Sequence, residues 1–82
     1  MHETCDDPID VVVSFTDGRV TPRRLRWRGR EYAVERVNLI HATNEGERRV
    51  FYFSVSDRNH DFKLRLDTEA LQWKMVELYA DG

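Results

Sequence analysis

The chain is poor in cysteine, proline, lysine and glycine, and it contains no long apolar run. Its 82 residues include one cysteine, two prolines, four glycines and two lysines. The single thiol, Cys5, cannot form an internal disulfide, which fits the reducing conditions of the cytoplasm, where we expect the protein. No apolar run approaches the roughly 18 residues of a membrane span, so we expect no membrane contact. Residues 1–10 lack the basic and then apolar pattern of a signal peptide.

The length allows one hydrophobic core. We therefore predict a single β domain over residues 1–82, with residues 1–8 flexible. A chain of this size buries only about 60–65% of the surface that its unfolded form exposes, so folding needs nearly every large apolar side chain. The formal net charge is −2, and the molecule as a whole is not a natural binder of polyanions.

The charges are distributed unevenly along the chain. Before residue 18 there are five acids and no arginine or lysine, whereas six arginines and no acid lie between Arg19 and Arg30. Arginine outnumbers lysine eleven to two. The ratio indicates either selection for the planar, bidentate contacts of the guanidinium group or a compositional habit of the source genome, and we favour the second explanation.

Six segments have the alternating, β-branched and aromatic pattern of strands. They are residues 9–16, 23–28, 31–41, 50–56, 62–66 and 68–79. The apolar positions of the third segment change parity, which predicts a one-residue bulge near Glu35–Arg36. Residues 42–48 have the composition of an exposed loop. The last segment also has helical spacing, with Thr68 in the position of a cap, but a short turn before it favours a hairpin, and we predict a strand.

These segments predict an all-β fold, a small six-stranded, mostly antiparallel meander that forms a barrel or roll. The connections are too short for the crossovers that parallel strands need. The predicted core consists of Val11, Val13, Phe15, Leu25, Trp27, Tyr32, Val34, Phe51, Phe53, Phe62, Leu64, Leu66 and Trp73.

Two motifs stand out, a Pro-Ile-x-Val start at residues 8–11 and a Trp-Arg-Gly-Arg-x-Tyr stretch at residues 27–32. With Asp67 and Trp73 farther along, the pattern resembles the DUF6504-type proteins, a family of short bacterial proteins of undefined function. The resemblance covers most of the chain and implies a small β fold with a hairpin at residues 27–32. It implies no activity.

The arginine-rich stretch at residues 22–32 is the main candidate for a binding site. The arginines that we expect on the outer face of its hairpin are Arg24, Arg26, Arg28 and Arg30. Residues on one face of a strand lie about 7 Å apart, close to the phosphate repeat of a nucleic-acid strand. The alternative is neutralisation by Glu31 and Glu35 on the next strand, at roughly 0.2–1 kcal/mol for each pair.

Residues that carry catalytic or metal chemistry are few and scattered. His2 and Cys5 are close in sequence, but a single thiol does not complete a tetrahedral metal site. We expect His41 and His60 to be surface histidines. Among the aromatic residues only Tyr52 is expected to point outward, and one ring does not make a platform for stacked bases. The sequence therefore predicts a protein that is not an enzyme and that holds no metal and no cofactor.

The favoured function is a non-catalytic interaction module. Its arginine face would bind an acidic protein surface or a second copy of the protein, and the C-terminal strand is an unprotected edge through which two copies could pair. The alternative is a small β domain that binds nucleic acid or phosphate through the same arginines.

Overall fold

Seven strands in one antiparallel sheet make up the computed structural model, which describes residues 1–80. The strands are β1 (His2–Thr16), β2 (Arg19–Trp27), β3 (Arg30–Ala33), β4 (Arg36–Glu45), β5 (Arg48–Ser56), β6 (His60–Asp67) and β7 (Gln72–Ala80). Connections of two to four residues join them. Residues 1–80 include no helix that could cross a membrane.

The two edge strands of the sheet follow each other in the chain. The strand order is β3-β2-β1-β7-β6-β5-β4, and only Val34 and Glu35 connect β3 to β4. The N–H of Val34 donates to the carbonyl of Arg23 in β2 at 2.9 Å. The next N–H, that of Glu35, donates to the carbonyl of Ser56 in β5, also at 2.9 Å. Because three peptide steps span at most about 11 Å, the link holds opposite edges together and curls the sheet into an incomplete ring.

The predicted all-β, antiparallel fold is confirmed, whereas its finer details are not. The sheet has seven strands rather than six, and it is not closed into a barrel because β3 and β4 share no ladder within residues 1–80. The strand predicted over residues 31–41 is two strands, and β4 continues through much of the predicted loop to Glu45. The bulge predicted near Glu35–Arg36 is wrong, since the chain changes its partner strand there. The nearest register shift lies between Val37 and Leu39.

Both ends of the described chain lie in the middle of the sheet. His2–Pro8, expected to be flexible, forms the first part of β1 and pairs with β7. The strand predicted over residues 68–79 is confirmed as β7, and the Thr68 hydroxyl caps no helix but donates to the carbonyl of Arg49 at 2.7 Å. Because β7 pairs with β1 on one side and β6 on the other, it is not an edge. Pairing of two copies through the C-terminal strand is therefore a wrong prediction.

The core lies on the inner face of the curled sheet. Its buried side chains are Ile9, Leu25, Trp27, Phe53, Val55, Phe62, Leu64, Met75 and Leu78. The register places Phe53 opposite Leu64 and Leu64 opposite Met75, so apolar side chains of neighbouring strands pack in rows. Of the predicted core, five residues are fully buried, and Val13 is half-buried. The half-buried predicted residues that pack against the buried cluster are Val11, Tyr32, Val34, Phe51, Leu66 and Trp73.

Phe15 is the exception among the predicted core residues. It has the parity of Val11 and Val13, but 76% of its surface is exposed because it lies near the end of β1, beyond the packed region. Met75 and Leu78 were not predicted as core, because the last segment has both helical and strand spacing and its inward face could not be assigned.

We expect replacement of Phe53 by alanine to destabilise the protein by about 3–5 kcal/mol, because it leaves a cavity in the core. The matched control is Phe15→Ala, which should cost less than about 0.5 kcal/mol because its ring is exposed. Urea unfolding followed by tryptophan fluorescence measures both. Equal losses in the two variants would contradict the assignment of the core.

Candidate interaction surface

Four arginines of β2 lie on the outer face of the sheet, away from the core. Arg24 lies opposite the outward Val12 of β1, Arg26 opposite Asp10, and Arg19 opposite Thr16. Arg23 donates through Nε to the hydroxyl of Ser14 at 3.0 Å, and Ser14 has the same parity as Val12. We call these four residues, Arg19, Arg23, Arg24 and Arg26, the outer arginine face.

The presence of two consecutive arginines on one face has a local cause. The β1–β2 register shifts between Val12 and Val13, so that Val12 pairs with Arg24 and Val13 with Pro22. Arg23 is the extra residue of this bulge, and a bulge can turn two successive side chains to the same side of a strand. Pro22 is buried, and because it lacks an N–H it is suited to a place where the ladder is interrupted.

The predicted neutralisation by acids of the next strand applies to one arginine. Arg26 lies opposite Glu31, and its Nη2 is 3.1 Å from Glu31 Oε1. Both side chains are more than half exposed, so the pair contributes at most about 1 kcal/mol. Arg24 lies opposite Ala33 instead. Within residues 1–80, Arg19, Arg23 and Arg24 have no carboxylate within ion-pair distance.

Arg28 and Arg30, which we predicted beside Arg24 and Arg26, lie elsewhere. Arg28 and Gly29 both have positive φ, 52° and 77°, and form the two-residue turn that favours a tight hairpin. Arg30 lies opposite Trp27, on the inner parity, with its guanidinium 5.6 Å from the centre of the Tyr32 ring. The structure therefore brings together Arg24 and Arg26, adds Arg19 and Arg23, and separates the other two.

Arg28 binds the acidic N-terminal segment of its own chain. Its guanidinium is 3.0 Å from a carboxylate oxygen of Glu3 and 3.1 Å from Asp7 Oδ2, and it lies 4.4 Å over the Trp27 ring. The indole N–H of Trp27 also donates to Asp7 Oδ2 at 2.8 Å. This hydrogen bond, followed by the charge of Arg28, holds the pKa of the Asp7 carboxyl below its ordinary value.

An apolar groove separates β2 from β4 where the chain leaves the Val34–Glu35 link. It has a volume of about 400 Å³ and is lined by Arg19, Val20, Thr21, Val37, Asn38, Leu39 and Ile40. Within residues 1–80, β3 pairs only with residues 24–27 of β2, so residues 19–22 have no strand beside them on that side, and β4 pairs only with β5. Two unpaired strand edges therefore face each other across this groove, which we call the seam. Leu39 is 61% exposed and Ile40 47% exposed.

A second, more polar groove of about 650 Å³ crosses the outer face of β4 to β7. Tyr52, the residue predicted to point outward, lies in it half-buried, with Lys63 Nζ 5.2 Å from its ring centre. Its hydroxyl donates to Glu45 at 2.5 Å, and Arg65 donates to the other oxygen of that carboxylate at 2.7 Å. The hydrogen bond from Tyr52 lowers the pKa of Glu45 and raises that of Tyr52. The Tyr52 hydroxyl and the Glu45 carboxylate thus have hydrogen-bond partners within the protein.

Among the remaining candidates for chemistry, His60 and Cys5 have partners within the protein. His41 is exposed, whereas His60 is half-buried and its Nδ1 is 3.0 Å from Asp57 Oδ1, which also accepts the N–H groups of Asn59 and His60 in the turn. Burial and then the neighbouring Glu3 raise the pKa of the Cys5 thiol to about 11, so at neutral pH it is protonated and a poor nucleophile. In residues 1–80, no three His, Cys, Asp or Glu residues cluster as metal ligands would.

Comparison of the chain with protein-family models, curated proteins and solved structures found no match. The resemblance to the DUF6504-type proteins stays a prediction.

The seam could not be predicted from the sequence. Its two sides lie 16 or more positions apart along the chain, and they meet only because the Val34–Glu35 link brings the edges together. The bulge at Arg23 had one available signal, the proline that precedes it. The contact of Arg28 with Asp7 and Glu3 joins residues 21 and 25 positions apart, and it too depends on the fold rather than on a local pattern.

We expect Trp27→Phe to raise the pKa of the Asp7 carboxyl, because it removes the indole donor. NMR titration of the carboxyl resonance measures this value. Folding lowers the pKa of Asp7. The carboxylate therefore stabilises the fold at pH values above about 4, the pKa of an aspartate in the unfolded chain, and this contribution is lost as the pH falls through the lower pKa of the folded state. Trp73→Phe, which removes the other indole, is the control and should leave Asp7 unchanged. An unshifted Asp7 in Trp27→Phe would contradict the assignment.

Proposed function

We propose that the protein is a non-catalytic interaction module that binds an acidic polypeptide at the outer arginine face. The observation that carries the proposal is the shortage of acids around these arginines. Arg26 alone of the four has a carboxylate partner within residues 1–80. Exposed guanidinium groups without a partner favour bidentate contacts with carboxylates of another chain.

Two further features support a polypeptide partner. Val12 is 62% exposed and lies directly beside Arg24, so the charged face includes apolar surface. The contact of Arg28 with Glu3 and Asp7 shows how the same residue type holds carboxylates in this fold, at 3.0 and 3.1 Å. An acidic segment of a partner would meet Arg19 and Arg24 in the same way. We place this interaction in the cytoplasm, because Cys5 is the single thiol of the chain.

Nucleic acid is the alternative that the same arginines allow, and the structure offers it less support. Trp27 and Tyr32 pack in or against the core, and the exposed Phe15 has the inward parity of Val11 and Val13. Within residues 1–80, the outer arginine face therefore has no aromatic side chain on which bases could stack. Glu31 and Asp10 lie within the arginine row, opposite Arg26 on its two sides. Both carboxylates would repel a phosphate backbone and an acidic polypeptide alike, so the lack of an aromatic platform is what separates the two partners.

We expect the double variant Arg19→Ala, Arg24→Ala to bind a fluorescent polyglutamate peptide at least about fivefold more weakly than the wild type at low salt. Fluorescence anisotropy measures the affinity. The control is the double variant Arg49→Ala, Arg58→Ala, in β5 and in the β5–β6 turn. It changes the net charge by the same amount as Arg19→Ala, Arg24→Ala and should bind the peptide as the wild type does.

The same titration with a single-stranded oligonucleotide tests the alternative. Tighter binding of the oligonucleotide than of the peptide, with a salt dependence that weakens in Arg19→Ala, Arg24→Ala, would replace the polypeptide proposal with the nucleic-acid one. Equal loss of peptide binding in both double variants would show that only net charge matters and would overturn a defined site.

A further inference from the structure

We propose that the partner segment binds as an added β-strand in the seam between β2 and β4. This inference rests on the proposed function, because it names the way in which the acidic polypeptide is held. In addition to the contacts with the arginines, the partner segment would form hydrogen bonds with the backbone of the strands and contacts with apolar side chains. The seam and the outer arginine face are continuous, since Arg19 belongs to both.

The backbone argument comes from the two unpaired edges. An edge strand presents a row of N–H and C=O groups that can pair with another chain. At the closed end of the seam, the Val34–Glu35 link donates to Arg23 of β2 and to Ser56 of β5, so the chain that continues into β4 lies directly beside β2 there. Farther along, Arg19–Thr21 of β2 and Val37–Ile40 of β4 line the same groove without a shared ladder within residues 1–80, and the β4–β5 register shifts between Val37 and Leu39. An extended segment in this gap would find unpaired partners on each side.

The side chains of the seam specify what such a strand would carry. Ile40 lies opposite the buried Phe53, and Val20 and Val37 pack against the core cluster, so these residues face inward. Arg19 and Thr21, by contrast, lie opposite Thr16 and Ser14 and face outward. Successive residues of a strand point to opposite faces. A segment that alternates apolar and acidic residues would therefore bury its apolar side chains and present its acidic side chains to the arginines.

The geometry favours a single extended segment over the sheet of a second copy. A strand in the seam has β4 on one side and β2 on the other. An edge strand of a second copy would bring its own neighbour with it, since β4 is hydrogen-bonded to β5 and β3 to β2. That neighbour would occupy the space of β2 or β4. A flexible segment without neighbours has no such conflict.

Three blocked peptides of about ten residues, the length of a long strand, test this binding mode. The first alternates valine and glutamate, the second is the same peptide with N-methyl groups on alternate residues of one edge, and the third has lysine in place of glutamate. Isothermal titration gives the affinities, and amide hydrogen exchange reports on Val20, Val37 and Ile40. We expect the first peptide to bind, the second to bind about tenfold more weakly because N-methylation removes strand hydrogen bonds, and the third not to bind.

The outcomes separate this inference from the proposed function. If the first two peptides bind equally, strand addition is overturned and docking of an acidic polypeptide stands. If the lysine peptide binds as tightly as the glutamate peptide, the preference for an acidic partner is overturned in both the proposed function and the strand-addition proposal. If no peptide binds at low salt, both proposals fail.

Two matched variants test the apolar part of the seam. Ile40→Thr removes apolar surface from the inward side of β4 while keeping a β-branched side chain, and we expect binding of the valine–glutamate peptide to weaken about fivefold. Tyr79→Thr puts the same residue at a strand position of similar exposure, 44% against 47%, outside both the seam and the outer arginine face, and should leave the affinity unchanged. Equal affinities in Ile40→Thr and the wild type would overturn the assignment of the seam.

Discussion

The two-residue connection between β3 and β4 is the constraint on which the rest of the fold depends. These strands lie at opposite edges of a seven-stranded sheet, yet Val34 and Glu35 join them directly. A flat sheet of this order would need a long crossover, so the short link obliges the sheet to curl. The curl gives the sheet an inner, concave face. Side chains from this single sheet can then pack against one another and form the core of a chain of 82 residues.

The hairpin that leads into this link is fixed by a contact to β1. Trp27 buries its ring in the core and donates its N–H to Asp7, while Arg28 leaves the strand at a positive φ and reaches the same carboxylate. The carboxylate thereby accepts from a buried ring and from an exposed guanidinium. These contacts compensate the acidic start of the chain, which pairs with β7: Glu3 and Asp7 face Arg28, and Asp6 lies 3.2 Å from Lys74.

Much of the fold could be predicted from the sequence, because period-two alternation and turn residues are local signals. Leu25, Trp27, Phe53 and Leu64 were assigned to the core on parity alone, and all are buried. The break at Val34–Glu35 could not be predicted, because a strand that changes its partner has the same local pattern as one that bulges. The candidate surface was only half predicted for the same reason: Arg24 and Arg26 follow from alternation, whereas Arg19 and Arg23 depend on register.

The seam follows from the same constraint as the curl. Closing the ring would require β4 to pair with Arg19–Thr21, but within residues 1–80 these strands share no ladder, and the β4–β5 register shifts after Val37. Open edges with apolar neighbours such as Leu39 and Ile40 invite uncontrolled pairing, a risk that proteins reduce with charge. Here the charge beside the apolar groove is the guanidinium of Arg19 on β2. Two copies of this edge would repel each other, whereas an acidic extended segment would be attracted, so the same charge would disfavour self-association and favour the proposed partner.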